Sequence, residues 1–347
     1  MKLTPVRVRG KRKASSSSTS TTTTPSKMSR SIQDVKRARH LRPRARLDRL
    51  PAEILESVLL HSGSLALPRC SPVVGAKLSG RATLLRLFIC GFHDTWDQWF
   101  GIPFRAVLEG PRPRDERRTG RGARSPQEAR YYPCDGDPEL QSALLELPWV
   151  DIDFILRAQQ TWADTYARHR WYQAPAVVGH GDTGAGGFGD FDAARYFDET
   201  YRQFLRHPSA PPRTLVRNVH PDTRLPTALV TGPWDDEARR RLLWLVRGGV
   251  NLEAPDGPTR RLPWEYHVDF LRNVAVQAET PDEVAYRLLR DQCDLMCVPQ
   301  DVLRSERDAL VKRLRWGQHD EPVVELLKEV LEDVSYKLDQ QSFGSQK

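Results

Sequence analysis

LDRLPAEILESVLL, residues 47–60, is the stretch from which the fold of this chain can be predicted. Pro51 suits the first position of a helix, because its ring fixes φ and its missing N–H would have no partner there. Glu53 adds negative charge in the first turn, where the helix dipole favours it. Apolar residues recur at helical spacing along one face: Leu50, Ile54, Leu55, Val58 and Leu59. The stretch therefore predicts an amphipathic helix, which Gly63 can end in the left-handed conformation.

A second helix is predicted to begin at Ser71 and Pro72, a cap residue followed by proline. Apolar residues then recur at spacings of three and four: Leu78, Ala82, Leu85, Ile89 and Phe92. Residues 47–92 are thus expected to form two or three short helices, each with one apolar face. Trp96, Trp99 and Phe100 follow closely enough to share an apolar surface, and we expect them to close this region against the next part of the chain.

These helices carry a motif that resembles an F-box. That module opens with Leu-Pro-x-Glu and continues through a Leu-Arg-x-Ser-x-Val-Ser segment. The matching residues here are Leu50-Pro51-x-Glu53-Ile54-Leu55, Leu65-x-Leu67-x-Arg69-Cys70-Ser71, Val73-Val74 and Leu78. The segment from Leu67 to Leu78 is similar to the variant common in uncharacterised fungal F-box proteins. The chain departs from the pattern at Pro68 and Pro72, where the module has continuous helix, and at residues 75–77, where it has a tryptophan-bearing segment.

The resemblance implies a partner for this region. F-boxes pack their apolar surface against the helical linker subunit of a cullin-based (SCF) ubiquitin ligase. A stretch of about 45 residues cannot bury a large core alone, so its apolar surface needs either a partner or the rest of the chain. The residues expected to contact the linker subunit are Leu50, Pro51, Ile54, Leu55 and Val58. The alternative interpretation is that they are ordinary core residues of one larger helical domain.

Charge is distributed unevenly along the 347 residues. Residues 1–46 hold 14 Lys and Arg and one acid, a net charge of +13, so the remaining 301 residues carry −5 of the chain's +8. A nucleic-acid-binding domain is expected to carry its basic patch on a folded face. The net negative charge of residues 47–347 therefore argues against nucleic-acid binding by the folded part of the chain. Nucleic-acid binding remains a hypothesis for the basic tail only.

The basic segment, residues 1–46, is predicted to be a disordered tail. Ser15 to Thr24 is an unbroken run of Ser and Thr, and the segment has too little apolar surface to offset its ordering entropy. Two basic clusters flank that run, one from Arg7 to Lys13 and one from Lys36 to Arg46. Such clusters can serve as addresses for a nuclear import receptor or as nucleic-acid patches; the alternative is a solubilising tail with no address.

The rest of the chain is predicted to be mainly helical. Residues 47–108 form the F-box-like module, residues 109–135 an Arg/Pro/Gly-rich loop, and residues 136–340 an irregular, predominantly helical C-terminal domain. Local signals in that domain are the caps at Asp137 and Asp235 and the Thr280-Pro281-Asp282-Glu283 segment, where Thr280 and Glu283 are expected to form a capping box. Leu229-Val230 is predicted to be a short extended piece.

A Gly-rich break at residues 179–190 contains two patterns known from enzymes. Gly184-x-Gly186-x-x-Gly189 matches the dinucleotide-binding pattern, which needs a strand before it and a helix opening on its last glycine. Asp182-Thr183-Gly184-Ala185 matches an aspartic-protease loop, which needs a second aspartate to share its proton. Neither context is visible, so we expect a flexible loop and no enzyme. No catalytic residues, metal site or cofactor are predicted.

The number and spacing of the cysteines, together with the hydropathy of the chain, indicate the cellular compartment in which the protein is expected. The five cysteines, an odd number with no Cys-x-x-Cys, argue against a secreted disulfide framework and a tetrahedral zinc site. Cys293 and Cys297 are expected to be buried free thiols on a helix. No apolar run approaches a membrane span and no signal peptide is visible, so nucleus or cytoplasm, without a membrane, is expected.

The sequence thus favours a substrate adaptor: the F-box binds the linker subunit, and the C-terminal domain binds an unknown protein target. The alternative class is a nuclear nucleic-acid-associated protein that acts through its basic tail. A third class, an enzyme that uses the Gly-rich loop, has no Ser/His/Asp, Cys/His or metal constellation to support it.

Overall fold

The computed structural model describes residues 47–101, 134–173, 186–188, 191–208, 217–250, 262–290 and 293–344. The chain divides into two compact units, Met1–Arg49 and Leu50–Lys347. Of the first unit only a 3₁₀ turn, Leu47–Arg49, is described. The predictions on the tail at residues 1–46, on its two basic clusters and on most of the loop at residues 109–135 lie outside the described residues.

The second unit is mainly helical, which confirms the predicted fold class. Its described part also contains two short antiparallel strands, β1 (Trp171–Gln173) and β2 (Gly186–Phe188), with Trp171 opposite Phe188. The α-helices are, in chain order, α1 (Ala52–Ser62), α2 (Pro72–Leu78), α3 (Arg81–Trp99), α4 (Pro138–Leu145), α5 (Ile152–Tyr166), α6 (Ala193–Arg206), α7 (Thr227–Thr231), α8 (Asp236–Arg247), α9 (Trp264–Leu271), α10 (Glu283–Leu289), α11 (Gln300–Trp316) and α12 (Glu321–Gly344).

Short polar side chains set where several helices begin. Ser71 accepts a hydrogen bond from the Val73 N–H at 3.3 Å, and Asp137 accepts from the N–H groups of the first turn of α4 at 2.9 and 3.1 Å. Asp235 caps α8 in the same way, with the Ala238 N–H at 2.7 Å. These three predicted starts are confirmed, because a cap needs only an oxygen in reach of orphan N–H groups.

The first helix begins and ends close to its predicted limits. Pro51 is the residue before α1 rather than its first residue, and its carbonyl accepts from the Leu55 N–H at 3.1 Å. Gly63 ends the helix in the left-handed conformation, with φ 59°, and its N–H donates to the Leu59 carbonyl at 2.9 Å. Glycine is required there because other residues are strained at positive φ.

One hydrophobic core runs through the second unit, and α3 lies at its centre. This helix packs against α1, α4 and α5 and buries Phe88, Phe92 and Trp96. Gly91 allows the approach of α4, since a Cβ there would lie 2.5 Å from Leu144 Cδ1. The buried residues from Leu55 to Leu338 form a single cluster. The core is therefore continuous from the described helices of residues 47–108 into those of residues 136–340.

A buried glutamine links α3 and α4 by hydrogen bonds to the segment before α7, residues 217–226. Gln141 on α4 is fully buried, and its amide nitrogen donates to the Gly91 carbonyl at 3.2 Å and to Thr95 Oγ1 at 2.9 Å. Its amide oxygen accepts from the His220 N–H at 2.9 Å and from Thr223 Oγ1 at 3.1 Å. Because all four bonding positions of the amide are used, its burial carries no unpaired polar group.

Several sequence predictions need correction. Residues 229 and 230 belong to α7 and are buried, so they are helical and not extended. Part of the predicted Gly-rich loop is strand β2, because its backbone pairs with β1. Cys293 is buried as expected, but Cys297 lies in a 3₁₀ turn (Leu295–Cys297) and is partly exposed. The turn follows an aspartate cap at Asp294, whose carboxylate accepts from the Met296 N–H at 3.0 Å.

The start of α10 provides a test of the fold. Asp282, not Thr280, caps this helix: its carboxylate accepts from the Ala285 N–H and from Arg239 Nε, both at 2.9 Å, and the residue is 9% exposed. We expect Asp282→Ala to lower the free energy of unfolding by about 2 kcal/mol, since it removes a cap and a charge-assisted bond. Thr280→Ala is the control and should change it by less than about 0.5 kcal/mol. Urea unfolding measures both, and a larger loss for Thr280→Ala would contradict the assignment.

Candidate docking surface and aromatic cavity

The first helix is held onto the core by one side. Leu55 and Leu59 are fully buried there. Polar contacts also link the helix and the residue before Pro51 to their neighbours: Glu56 pairs with Arg86 of α3 at 2.5 Å, and Lys77 Nζ of α2 donates to the Leu50 carbonyl at 2.7 Å. These contacts fix which face of α1 points away from the protein.

The outward face of α1 carries apolar side chains. Ile54 is 49% exposed and Val58 is 39% exposed. They are four residues apart, so they are neighbours on one face of the helix. Pro51, just before the helix, is also exposed. We call Pro51, Ile54 and Val58 the docking surface.

The structure divides the five residues that the sequence predicts to bind the linker subunit. Three of them form the docking surface, and Leu50 is partly buried against the core. Leu55 is fully buried within the chain, so the prediction that it contacts a partner does not fit this fold. Val73 on the adjacent helix α2 is 49% exposed and was not among the predicted contact residues.

A second candidate site is a cavity of about 60 Å³ that α3, α5, α6 and α8 line together with strand β1. Most of its wall consists of aromatic rings. They are Trp96, Trp99, Phe100, Trp162, Tyr172, Phe191, Tyr196, Phe197 and Trp244. The indole N–H groups of two of them have hydrogen-bond partners, the Asn218 carbonyl for Trp96 at 2.9 Å and His93 Nδ1 for Trp162 at 2.9 Å. The wall is therefore apolar apart from a few placed polar groups.

Two arginines line this cavity. Arg217 is 6% exposed, and its guanidinium carbon lies 4.7 Å from the centroid of the Trp99 ring. Arg247 is the last residue of α8, and its guanidinium donates to the Thr200 hydroxyl. Burial lowers the pKa of both groups, that of Arg247 to about 10. Neither arginine could be recognised from the sequence as part of a site, because no local pattern brings residues 96, 172, 217 and 247 together.

The described residues show no metal centre: no group of three or more His, Cys, Asp or Glu among them could hold a metal ion. The five cysteines are free thiols, and burial raises the pKa of Cys90 and Cys134. Asp182 and its aspartic-protease-like motif lie outside the described residues, as do Gly184 and Gly189 of the dinucleotide pattern.

No family model, no curated protein and no solved structure matches the chain. Among the helices described, none is both long enough and apolar enough to span a lipid bilayer.

Proposed function

We propose that this chain is a substrate adaptor of a cullin-based ubiquitin ligase, and that its docking surface binds the linker subunit. The rest of the helical unit binds a protein target, and the chain itself performs no chemistry. The adaptor works by raising the effective concentration of the target near the ubiquitin-loaded enzyme.

The observation that carries the proposal is the exposure of Ile54, a residue of the F-box-like motif, and of Val58, one turn later on the same helix. The same helix buries Leu55 and Leu59, so α1 is anchored and presents its other apolar face ready for a partner. Scattered exposed apolar residues are common on proteins, but these two are among the five residues that the F-box resemblance predicts to contact the linker subunit. Completing the burial of each side chain is worth about 1 kcal/mol.

A second function, nucleic-acid binding by the tail, is favoured by the net charge of +13 on residues 1–46. The rest of the chain carries −5, which argues against a folded face that binds phosphates. The tail would then act as a tether, and α1 would have no partner.

The test of the adaptor function changes the docking surface without changing the core. The double variant Ile54→Asp/Val58→Asp places charge on the surface that a partner must desolvate. We expect it to weaken binding of purified linker subunit by about 30-fold or more, the effect of losing an interface hot spot. Binding is measured by titration calorimetry with the full chain.

Leu205→Asp is the matched control, because Leu205 is a comparably exposed apolar residue, at 46%, on α6. It should bind the linker subunit like the wild type. Equal binding by wild type, double variant and control would show that the complex forms elsewhere on the chain. If the wild type is folded and does not bind the linker subunit at all, the proposed adaptor function is wrong.

A further inference from the structure

A second and larger cavity lies where α5 ends. Its volume is about 260 Å³. Ala163 and Ala167 form part of its wall and are both buried, so this side of the cavity carries only methyl groups. A cavity of about 150 Å³ can hold benzene. The larger cavity therefore has room for an aromatic ring together with a short charged group.

Three aromatic rings form an apolar part of its wall. Phe100, Tyr172 and Phe191 all line it. The ring centroid of Phe100 lies 5.2 Å from that of Tyr172 and 5.1 Å from that of Phe191, and the last two are 4.6 Å apart. Because each ring packs against the other two, the wall is formed before any ligand arrives. A further ring can pack against it through edge-to-face or offset contacts.

Three charged side chains are among the described residues that line this cavity, and one of them is already neutralised. The guanidinium of Arg170 donates to the carboxylate of Asp97 and to its carbonyl, the latter at 2.7 Å. Asp164 is exposed and accepts a hydrogen bond from the neutral amide of Gln160 at 3.1 Å. Arg168 is exposed and has no hydrogen bond or ion pair within the described part of the chain. One negative and one positive charge therefore line the same cavity without pairing.

The carboxylate is held beside the aromatic wall. The amide nitrogen of Gln160, which donates to Asp164, also donates to the Phe191 carbonyl at 3.0 Å. The amide oxygen of Gln160 accepts from the Ala193 N–H at 3.0 Å. One glutamine thus links the end of α5, the carboxylate and the segment that carries one of the rings.

The two charges define the ligand. A ligand with only a positive charge would be repelled by Arg168, and one with only a negative charge would be repelled by Asp164. A zwitterion can satisfy both residues, since an ammonium group donates to a carboxylate and a guanidinium fork matches a carboxylate.

We propose that this cavity binds a free α-amino acid with an aromatic side chain. Its ammonium group pairs with Asp164, its carboxylate pairs with Arg168, and its ring packs against the aromatic wall. None of the residues of the docking surface lines the cavity. Amino-acid binding and linker-subunit binding can therefore fail independently of each other.

L-Phenylalanine is the probe, and two analogues each lack one of its charges. Phenylalaninamide lacks the carboxylate and represents the first residue of a peptide, whereas hydrocinnamate lacks the ammonium group. Ligand-observed NMR titration of the full chain measures all three. We expect saturable binding of phenylalanine with a Kd of about 1 mM, and binding of each analogue about fivefold weaker, as for the loss of one exposed ion pair.

Two substitutions test which residue recognises which charge. Arg168→Gln should weaken phenylalanine binding about fivefold and abolish the preference over phenylalaninamide. Asp164→Asn, which keeps an oxygen for the Gln160 amide, should instead abolish the preference over hydrocinnamate. Arg157→Gln is the matched control, because Arg157 is an exposed arginine of α5 that does not line the cavity. It should bind all three probes like the wild type.

These preferences separate recognition of the ligand from a structural role, since a general loosening of the fold would weaken all three probes alike. The proposal is overturned if the folded wild type does not bind phenylalanine saturably, or if it binds phenylalaninamide or hydrocinnamate as tightly as phenylalanine. It is also overturned if Arg168→Gln and Asp164→Asn retain the preferences of the wild type.

Discussion

Phe92→Ala is expected to lower the free energy of unfolding by about 4 kcal/mol, in one cooperative transition of the whole helical unit. Phe92 is fully buried, and its ring stacks on Phe88 with centroids 4.5 Å apart. It also contacts Trp96 of the same helix and Trp244 of α8, with centroids 5.4 and 6.3 Å away. The side chain therefore joins the F-box-like helices to the second half of the chain, and its removal leaves a cavity where they meet.

Urea unfolding followed by circular dichroism measures this effect. Leu205→Ala, at an exposed apolar position, is the control and should cost less than about 0.5 kcal/mol. Two separate transitions, with only the first shifted by Phe92→Ala, would contradict the single core. They would instead support an F-box module that folds by itself.

The second large effect is expected at Arg272, which begins the π-helical turn after α9 (Arg272–Val276) and pairs with Glu306 of α11. Its Nη2 and Nε lie 2.6 and 2.8 Å from Glu306 Oε1. The side chain of Glu306 is 6% exposed, whereas that of Arg272 is 38% exposed. Arg272→Met should cost about 3 kcal/mol, because it leaves a carboxylate buried without its counter-charge.

The reverse substitution should be milder. After Glu306→Leu the guanidinium of Arg272 can still reach water, so we expect a loss of about 1 kcal/mol or less. The double variant Arg272→Met/Glu306→Leu should return close to the stability of the wild type, since an apolar pair can replace a buried ion pair at little cost. Thermal and urea unfolding of the three variants form a double-mutant cycle. Equal losses for the two single variants would contradict this asymmetric burial.

The parts of the fold that sequence predicted well are those decided by a few neighbouring residues. Ser71, Asp137 and Asp235 begin helices because a side-chain oxygen meets N–H groups two or three residues on. Gly63 ends α1 because it tolerates positive φ. At α10 the same reasoning chose the wrong residue: Thr280 and Asp282 are both cap formers, and only the tertiary contact of Asp282 with Arg239 favours one over the other.

The parts that sequence could not predict depend on distant neighbours. The apolar face of α1 is wider than the part of it that packs against the core. Periodicity alone therefore cannot predict that Leu55 is buried and Ile54 exposed. Residues 229 and 230 were predicted to be extended because two adjacent apolar residues are too few to show a helical period. They instead belong to a short helix and are buried in the core. The cavity joins residues as far apart as Trp96 and Arg247, and the segments that carry these residues give no sign that they will meet.

We propose that the outward face of α1 binds the linker subunit of a cullin-based ligase. Amide hydrogen exchange of the full chain, with and without about 50 µM purified linker subunit, tests it most directly, since that concentration would saturate any micromolar complex. We expect slower exchange concentrated in α1 and the adjacent α2, with α11 and α12 unchanged. Unchanged exchange in α1, from a chain that is folded, would contradict it.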